Sequence, residues 1–376
     1  MAQVTNISPF KALCIPQAFY HGRIYDCMLL RATFKIGHDG ALLPLANQPD
    51  FVLNDATEPE SVDAVAQRQL IAKRRKADAE PYDVEDYAAI VYPSEIVAYK
   101  PATDVIVVGH ARPAGQVPTA RWLVNVCVEG RDKTVHIDKT IKVLGPRAWT
   151  HTMMGGWTLS EPTEVSQVAL TFANVYGGIV QDGLHKKDVF WANPGGVGFF
   201  GRMGADPFQS HPAPQIERPD QIVGSVETPV DSVGLSAVSA RQFERLQFVG
   251  TYDKAWRESV APNVPLDFDT AFWNMAPRDQ VVSPYLEGGE TIRTVGLFPT
   301  PDGALDFALP QMIAQVVCLR DGALGRSQMM DLDTVIIDAD RRHVTLRWQT
   351  IVEQADGFDE YEVIGLVKPD ANCHGA

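Results

Sequence analysis

The side chains with the clearest chemical potential lie between residues 250 and 280, where Asp267 and Asp269 flank a phenylalanine. Carboxylate oxygens are the ligands that Ca²⁺ and Mg²⁺ prefer in proteins. A bound cation needs further ligands, and the nearest candidates in sequence are Asp253 and Asp279. One interpretation is therefore a divalent-metal-dependent enzyme centred on Asp267 and Asp269, with carbohydrate as a candidate substrate class. The other is structural, because carboxylates beside prolines commonly cap turns and accept backbone N–H bonds.

Signatures of nucleotide binding and of covalent catalysis are weak in this chain. Gly196, Gly198 and Gly201 form a GVGFFG run. A dinucleotide-binding loop needs a strand before it and a helix after it, and the sequence predicts neither. No P-loop, HExxH or GxSxG motif occurs. We therefore expect no catalytic residue, no cofactor and no resident metal, with the metal-dependent enzyme as the alternative.

The same segment is rich in aromatic side chains and turn formers, which suits it to presenting a shaped surface. Tyr252, Trp256 and Trp273 accompany Phe268 and Phe272. Tyrosine and tryptophan are typical anchors of protein interfaces. The candidate partner-binding residues are Tyr252, Trp256, Asp267, Asp269, Trp273 and Asp279.

Composition limits the classes of partner. The chain has 376 residues and a formal net charge of −14 at pH 7, so its surface repels nucleic acid phosphates and anionic lipid. The cysteines are scattered without a CxxC pair, which favours a reducing compartment over a disulfide framework or a zinc site. Cys127 and Cys318 lie in apolar runs, and we expect both in the core. Without a signal-peptide pattern or a membrane-length apolar run, we expect a cytoplasmic protein that binds neither nucleic acid nor membrane.

Period-two alternation dominates the chain and predicts a mainly β fold. The predicted strands are the runs at 27–36, 103–111, 121–130, 133–138, 140–145, 292–298, 312–320, 333–352 and 360–367. A turn over 338–342 divides the run at 333–352 into two strands. Predicted helices are short and few, at 61–76, 239–248 and 253–260, with Asp253 as the N-cap of the last.

These elements predict two sheet-rich lobes with a few short helices and a loop-rich middle. The N-terminal lobe spans residues 1–160, and the C-terminal lobe, with its short helices, spans 236–376. Residues 161–235 form a connecting region in which glycine and proline are abundant and periodicity is weak. A loop region of this length in a compact protein is usually functional or ordered by a partner.

An ordered set of motifs resembles that of a known family. The motifs are KPATDVIVVGHA (100–111), KVLGPRAW (142–149), VYGG (175–178), NPGGVGF (193–199), PQIERP (214–219), the block from GTYD (250–253) to APRDQ (276–280), YLEGGE (285–290) and LDTVIIDADRRHVTLRW (332–348). The chain resembles an uncharacterised-domain family encoded beside bacterial type VI secretion effectors. Motifs in this order rarely arise by chance.

The resemblance implies an adaptor or chaperone without catalytic activity. Family members are thought to bind a secreted effector, often through or beside its Pro-Ala-Ala-Arg-repeat (PAAR) spike-tip domain. They then help to load it onto the secretion spike within the producing cell. A structural component of the secretion apparatus is a further alternative. We expect the partner surface to include open strand edges, Asp267 and Asp269, and the loops of 176–220, because edges can add a partner's strand and carboxylates can meet basic surfaces.

Overall fold

The computed structural model describes residues 2–18, 23–57, 87–97, 99–152, 155–181 and 187–368. Strands dominate these ranges, and the predicted mainly β fold is confirmed. The largest sheets have seven, five and four strands. Within the described ranges, no helix has the length and apolar character needed to cross a membrane.

The seven-stranded sheet is the centre of the fold. In spatial order its strands are Lys11–Ala18, Ile24–Ile36, His343–Glu353, Asp331–Asp338, Thr103–Val108 and Val281–Val282, with Leu42–Pro44 also paired to Ile24–Ile36. Neighbours are antiparallel except for Asp331–Asp338 and Thr103–Val108, which are parallel. Ile24–Ile36 is almost continuously buried, which matches its apolar sequence, since strands covered on both faces are apolar throughout.

One face of the five-stranded sheet packs on the core, and the other face is exposed to solvent. Its strands are Ile216–Glu217, Val135–Leu144, Arg121–Glu129, Thr291–Val295 and Ala304–Ala308, all antiparallel. Along Arg121–Glu129, Val124 and Val126 are buried, whereas the adjacent Leu123 and Asn125 are exposed and partly exposed. This alternation follows from the two-residue period of a strand with one side on the core.

The four-stranded sheet joins the two ends of the described chain. In spatial order its strands are Gln3–Asn6, Glu360–Val367, Met312–Arg320 and Ala323–Met329. The first pair is parallel and the others are antiparallel. Its buried side chains alternate with partly exposed ones along Met312–Arg320.

Smaller elements complete the described chain. Gly156–Leu159, Ala148–Thr152 and His211–Pro212 form a three-stranded sheet. The two-stranded sheets pair His110–Ala111 with Val168–Ala169, Tyr176–Gly177 with Val197–Gly198, Ile179–Gln181 with Lys187–Val189, and Ala56–Thr57 with Ile90–Tyr92. The described α-helices are Phe243–Leu246 and Lys254–Ser259, and 3₁₀ turns lie at Ala114–Gln116, Phe172–Asn174, Gly201–Met203, Thr270–Trp273, Arg278–Gln280 and Gln354–Asp356.

One hydrophobic core joins the three large sheets. It contains Phe34 of the seven-stranded sheet, Val126 of the five-stranded sheet and Val316 of the four-stranded sheet, all fully buried. Cys318 is also fully buried, as predicted. Cys127 is partly exposed, so its predicted core position is wrong. It follows the buried Val126, and successive side chains of a strand point to opposite faces.

A smaller core organises part of the predicted connecting region. Trp149 and Tyr176 are buried in it together with Val223, and aromatic side chains from the loops pack around them. The side-chain amide of Asn193 donates to the carbonyl of Phe172 at 2.8 Å. Packing around these aromatic rings therefore orders loops whose sequence has little periodicity.

Strand pairing crosses the two predicted lobes. Ile24–Ile36 pairs with His343–Glu353, and Arg121–Glu129 pairs with Thr291–Val295. N-terminal and C-terminal segments therefore share sheets, while the predicted boundaries after residues 160 and 235 stay a prediction.

The predicted elements agree well with the described ones. The strands predicted at 312–320 and 360–367 have these bounds in the structure. Those predicted at 133–138 and 140–145 are one strand, Val135–Leu144. The helix predicted at 61–76 lies outside the described residues.

Candidate partner-binding loop

Residues 250–267 form a loop whose two ends are held together. The Asp267 carboxylate accepts hydrogen bonds from the Thr251 amide at 2.9 Å and from the Thr251 hydroxyl at 2.7 Å. These bonds, the amide bond first, lower the pKa of Asp267. Gly250 has a φ of 72°, and a Cβ at this position lies 2.7 Å from Asp267 Oδ1. The neck of the loop therefore needs both a glycine and a carboxylate, as in compact loops whose ends meet.

A short helix inside this loop carries an aromatic pair. Lys254–Ser259 begins at Asp253, whose Oδ1 accepts a hydrogen bond from the Trp256 amide at 2.8 Å, so the predicted N-cap is confirmed. The Trp256 indole N–H donates to the Asn263 carbonyl at 2.8 Å. Its ring centre lies 4.6 Å from that of Tyr252. Trp256 is thus fixed within the loop, and Tyr252 is held against it while remaining 53% exposed.

The outer surface of the loop faces solvent. Between residues 251 and 259, only Trp256 is partly buried and every other residue is exposed. Lys254 and Glu258 form an exposed ion pair at 3.7 Å. The surface thus combines the Tyr252 phenol with charges of both signs. Aromatic anchors among polar neighbours are typical of protein recognition surfaces.

Asp269 and Trp273 lie where the loop rejoins the body of the protein. The Asp269 carboxylate caps the turn Thr270–Trp273 by accepting a hydrogen bond from the Ala271 amide at 2.8 Å. The Trp273 ring packs 5.2 Å from that of Phe272 and against a small core cluster on the seven-stranded sheet. These two predicted partner-binding residues therefore contribute to the anchor of the loop.

Asp279 contacts a different sheet. Its Oδ1 lies 2.6 Å from Nζ of Lys139, which is nearly buried in the five-stranded sheet. Burial lowers the pKa of Lys139, and the Asp279 carboxylate opposes that effect. Three carboxylates of the metal hypothesis, Asp267, Asp269 and Asp279, thus each have a separate protein partner. No group of three His, Cys, Asp or Glu side chains in the described part of the chain is placed to hold a metal ion.

A buried ionic network beside the 270–280 segment was missed by the sequence analysis. Lys100 Nζ lies 2.7 Å from Asp104 Oδ2 and donates to the Thr334 hydroxyl at 2.8 Å. Asp104 also accepts hydrogen bonds from the Asn274 side chain at 2.9 Å and from the Met275 amide at 2.7 Å. Burial lowers the pKa of Lys100, and Asp104 opposes that effect. The network fixes the segment after the loop to a central strand.

A second buried cluster joins neighbouring strands of the same sheet. Arg347 and Asp333 form a bidentate ion pair, with Nε 2.9 Å from Oδ1 and Nη2 2.5 Å from Oδ2. Arg31 Nε donates to Glu95 Oε1 at 2.7 Å, and Arg347 donates to the Glu95 carbonyl. All four side chains are almost completely buried. The sequence contained one indication of this cluster: charged residues occur inside apolar strands, and buried charges are normally paired.

A known protein family matches most of the chain. The family model, described as an uncharacterised protein conserved in bacteria (DUF2169), matches residues 21–349. The chain belongs to this family. The DUF2169 match includes the 250–267 loop, both buried ionic clusters and most of the seven-stranded sheet. Searches of the curated proteins and of the solved structures found no significant match.

Motifs that are distant in sequence meet within this DUF2169 chain. Asn193 of the NPGG motif donates to the carbonyl of Tyr176 in the VYGG motif at 3.3 Å. Arg147 of the GPRAW motif forms an ion pair with Glu217 of the PQIERP motif at 2.5 Å. These motif residues therefore hold the loops of the protein in place. The 250–267 loop is the motif segment that also presents an aromatic side chain to solvent.

Proposed function

We propose that this DUF2169 protein is a non-catalytic adaptor that binds a type VI secretion effector and helps to load it onto the secretion spike. The ordered motifs supply the identity of the partner, because they resemble those of a family encoded beside such effectors. The partner segment is the PAAR-repeat domain of the effector or a surface beside it. The adaptor acts in the cytoplasm of the producing cell, before the effector is exported.

The ordered 250–267 loop, with its exposed tyrosine, supports this function best. Its neck is closed by Asp267, and Trp256 holds Tyr252 in place, so the loop is ordered before a partner arrives. Binding to a preformed surface costs less conformational entropy than binding to a flexible segment. Exposed tyrosines in such surfaces are common binding hot spots. The negative net charge of the chain adds electrostatic attraction for a basic effector surface.

Co-purification with the effector encoded beside this chain tests the proposal. We expect a complex at micromolar concentrations, with affinity measured by isothermal titration calorimetry. Tyr252→Ala should weaken it by about tenfold or more, because truncating a hot-spot side chain costs at least about 1.4 kcal/mol. The control is Leu53→Ala, since Leu53 is 64% exposed and lies outside both the 250–267 loop and the loops of 176–220. It should leave the affinity unchanged.

Two outcomes contradict this proposal. Failure of the two folded wild-type proteins to associate at micromolar concentrations argues against an adaptor for that effector. Stoichiometric retention of this chain in purified secretion spikes indicates a structural component of the apparatus instead of a loading factor.

A further inference from the structure

The inner side of the four-stranded sheet is part of the main core. Along Met312–Arg320, Val316 and Cys318 are fully buried, as is Val363 on the neighbouring strand. A Cβ added to Gly365 lies 2.8 Å from Leu30 of the seven-stranded sheet. The seven-stranded sheet therefore covers this side closely.

The outer side of the same sheet carries apolar side chains around the hydrogen-bonded pair Gln315 and Ser327, and it is incompletely covered. The register places side chains of Met312–Arg320 beside those of Glu360–Val367 and Ala323–Met329 on this side. The outer apolar face comprises Ile313, Val317, Leu319, Leu324, Met329, Ile364 and Leu366. Leu324 is 70% exposed and Met329 is 58% exposed. None of these side chains belongs to a buried core cluster among the described residues.

The strand Ala323–Met329 forms an open edge of this sheet. In the described chain it pairs with Met312–Arg320 alone. Alternate residues of an edge strand direct their N–H and C=O groups away from the sheet, where another strand can pair with them. Proline and lysine, which commonly protect such edges, are absent from ALGRSQM. Its arginine, Arg326, lies 3.2 Å from the Asp356 carboxylate.

The sequence of the strand Met312–Arg320 also indicates that its outer side is a binding surface. Residues 312–320 read MIAQVVCLR, with apolar side chains on both sides of the strand. Such runs are typical of strands that are buried on both faces. Here one face is buried and the other is partly exposed, and an exposed apolar patch of this kind marks an interaction site.

The charges on the outer side indicate the chemistry of the partner. Glu360 and Glu362 lie on this side, opposite Leu319 and Val317 in the register. Glu360 accepts a hydrogen bond from the Thr5 hydroxyl at 2.9 Å. A partner that covers the apolar side chains therefore gains from lysine or arginine at the position facing the two glutamates.

We infer that a β-strand of the effector pairs with Ala323–Met329, and that apolar side chains on one side of that strand and its neighbours cover the outer apolar face. Basic residues of the effector segment that continues from this strand across the outer apolar face meet Glu360 and Glu362, which lie two strands further into the sheet. Strand addition supplies affinity through main-chain hydrogen bonds and specificity through alternate side chains. This inference rests on the proposed adaptor function and names a second binding surface beside the 250–267 loop.

A charge-matched pair of double variants tests the inference. Leu324→Lys with Met329→Lys places charges on the open edge, where both side chains are largely exposed. Leu123→Lys with Val295→Lys places the same charges on exposed positions of the five-stranded sheet. Calorimetric titration with the purified effector should show at least a tenfold loss of affinity for the first variant. The second should bind like the wild type, and both should keep the wild-type circular dichroism spectrum and melting temperature to within a few degrees.

The outcomes separate this inference from the adaptor function. Equal affinities for the two double variants, with the wild-type complex formed, overturn the strand-addition surface and leave the adaptor function intact. A wild-type protein that fails to bind the effector overturns both. A homodimer that the Leu324→Lys and Met329→Lys changes dissociate, measured by light scattering, also overturns the inference, because a second copy is then the occupant of the edge.

Discussion

The outer sides of the five-stranded and four-stranded sheets differ in chemistry: the first carries paired charges beside the exposed Leu123 and Val295, and the second carries seven apolar side chains. On the five-stranded sheet, Arg293 Nη1 lies 2.8 Å from Glu129 Oε2, and the Asn125 side chain donates to Asp138 at 2.8 Å. On the four-stranded sheet, the corresponding side is the outer apolar face. Both sheets direct their inner side chains into the same core. The difference between them therefore lies in the outward residues alone.

This difference is the reason why we propose the outer apolar face as a partner-binding surface. The paired charges and amides of the five-stranded sheet are well hydrated and need no cover in water. Apolar side chains gain roughly 25 cal/mol for each Å² removed from water, so the outer apolar face gains free energy when a partner covers it. An acidic chain that keeps such a face is suited to binding another protein.

Disrupting a buried ion pair of the seven-stranded sheet should have the largest effect on stability. Arg347→Leu leaves the buried Asp333 carboxylate without its bidentate partner. Removing one member of a buried ion pair costs about 3–5 kcal/mol. We expect this loss in the free energy of unfolding, measured by urea denaturation followed by tryptophan fluorescence.

The matched control is Arg326→Leu, since Arg326 and Asp356 form a partly exposed ion pair. An exposed pair contributes about 1 kcal/mol at most. If Arg347→Leu and Arg326→Leu lower the free energy of unfolding equally, the buried Arg347–Asp333 pair contributes no more stability than an exposed pair.

Two adjacent valines of Met312–Arg320 test which side of the four-stranded sheet is buried and which is the outer side. Val316 is fully buried and Val317 faces the outer side. Val316→Thr buries a hydroxyl and should lower the free energy of unfolding by about 1–3 kcal/mol. Val317→Thr should change it by no more than about 0.5 kcal/mol, while weakening effector binding measured by calorimetry. The reverse ranking of stability losses contradicts the assignment of the two sides.

Local patterns were enough to predict the strands and the cap of the loop helix. Alternation in residues 312–320 and 360–367 predicted both strands with their observed bounds. Asp253 was predicted as an N-cap because its position before a helical segment suits a side-chain acceptor. These features depend on neighbours in sequence, which is why a single chain reveals them.

Long-range pairing and the coverage of each face could not be predicted in this way. Nothing local indicates that Ile24–Ile36 pairs with His343–Glu353, more than 300 residues away. Cys127 and Cys318 lie in similar apolar runs, yet one is partly exposed and the other is buried. The strand at 312–320 was predicted, but its sequence did not show which of its two faces the rest of the chain covers. The outer apolar face could therefore be identified only from the structure.

The smallest expected effect concerns the charged side of the five-stranded sheet. Hydrogen bonds from Arg293 and then Lys133 lower the pKa of Glu129 from its ordinary value of 4.5 to about 2. Arg293→Gln should raise this pKa towards 4.5, as measured by NMR titration of the Glu129 carboxyl carbon.

The pH dependence of stability follows from the direction of that shift. A depressed carboxyl pKa contributes stability above the unfolded-state pKa, and this contribution is lost as the pH falls through the folded-state pKa. The stability advantage of the wild type over Arg293→Gln should therefore shrink between pH 4.5 and pH 2. A Glu129 pKa that stays near 2 in the variant shows that Arg293 does not hold the carboxylate.

Hydrogen–deuterium exchange of this protein, alone and with the neighbouring effector, tests the central claim most directly. The effector should slow exchange at the amides of residues 250–267 and 323–329. Exchange on the charged strand Arg121–Glu129 should not change. Slowing on that strand, with residues 250–267 and 323–329 unaffected, contradicts the account.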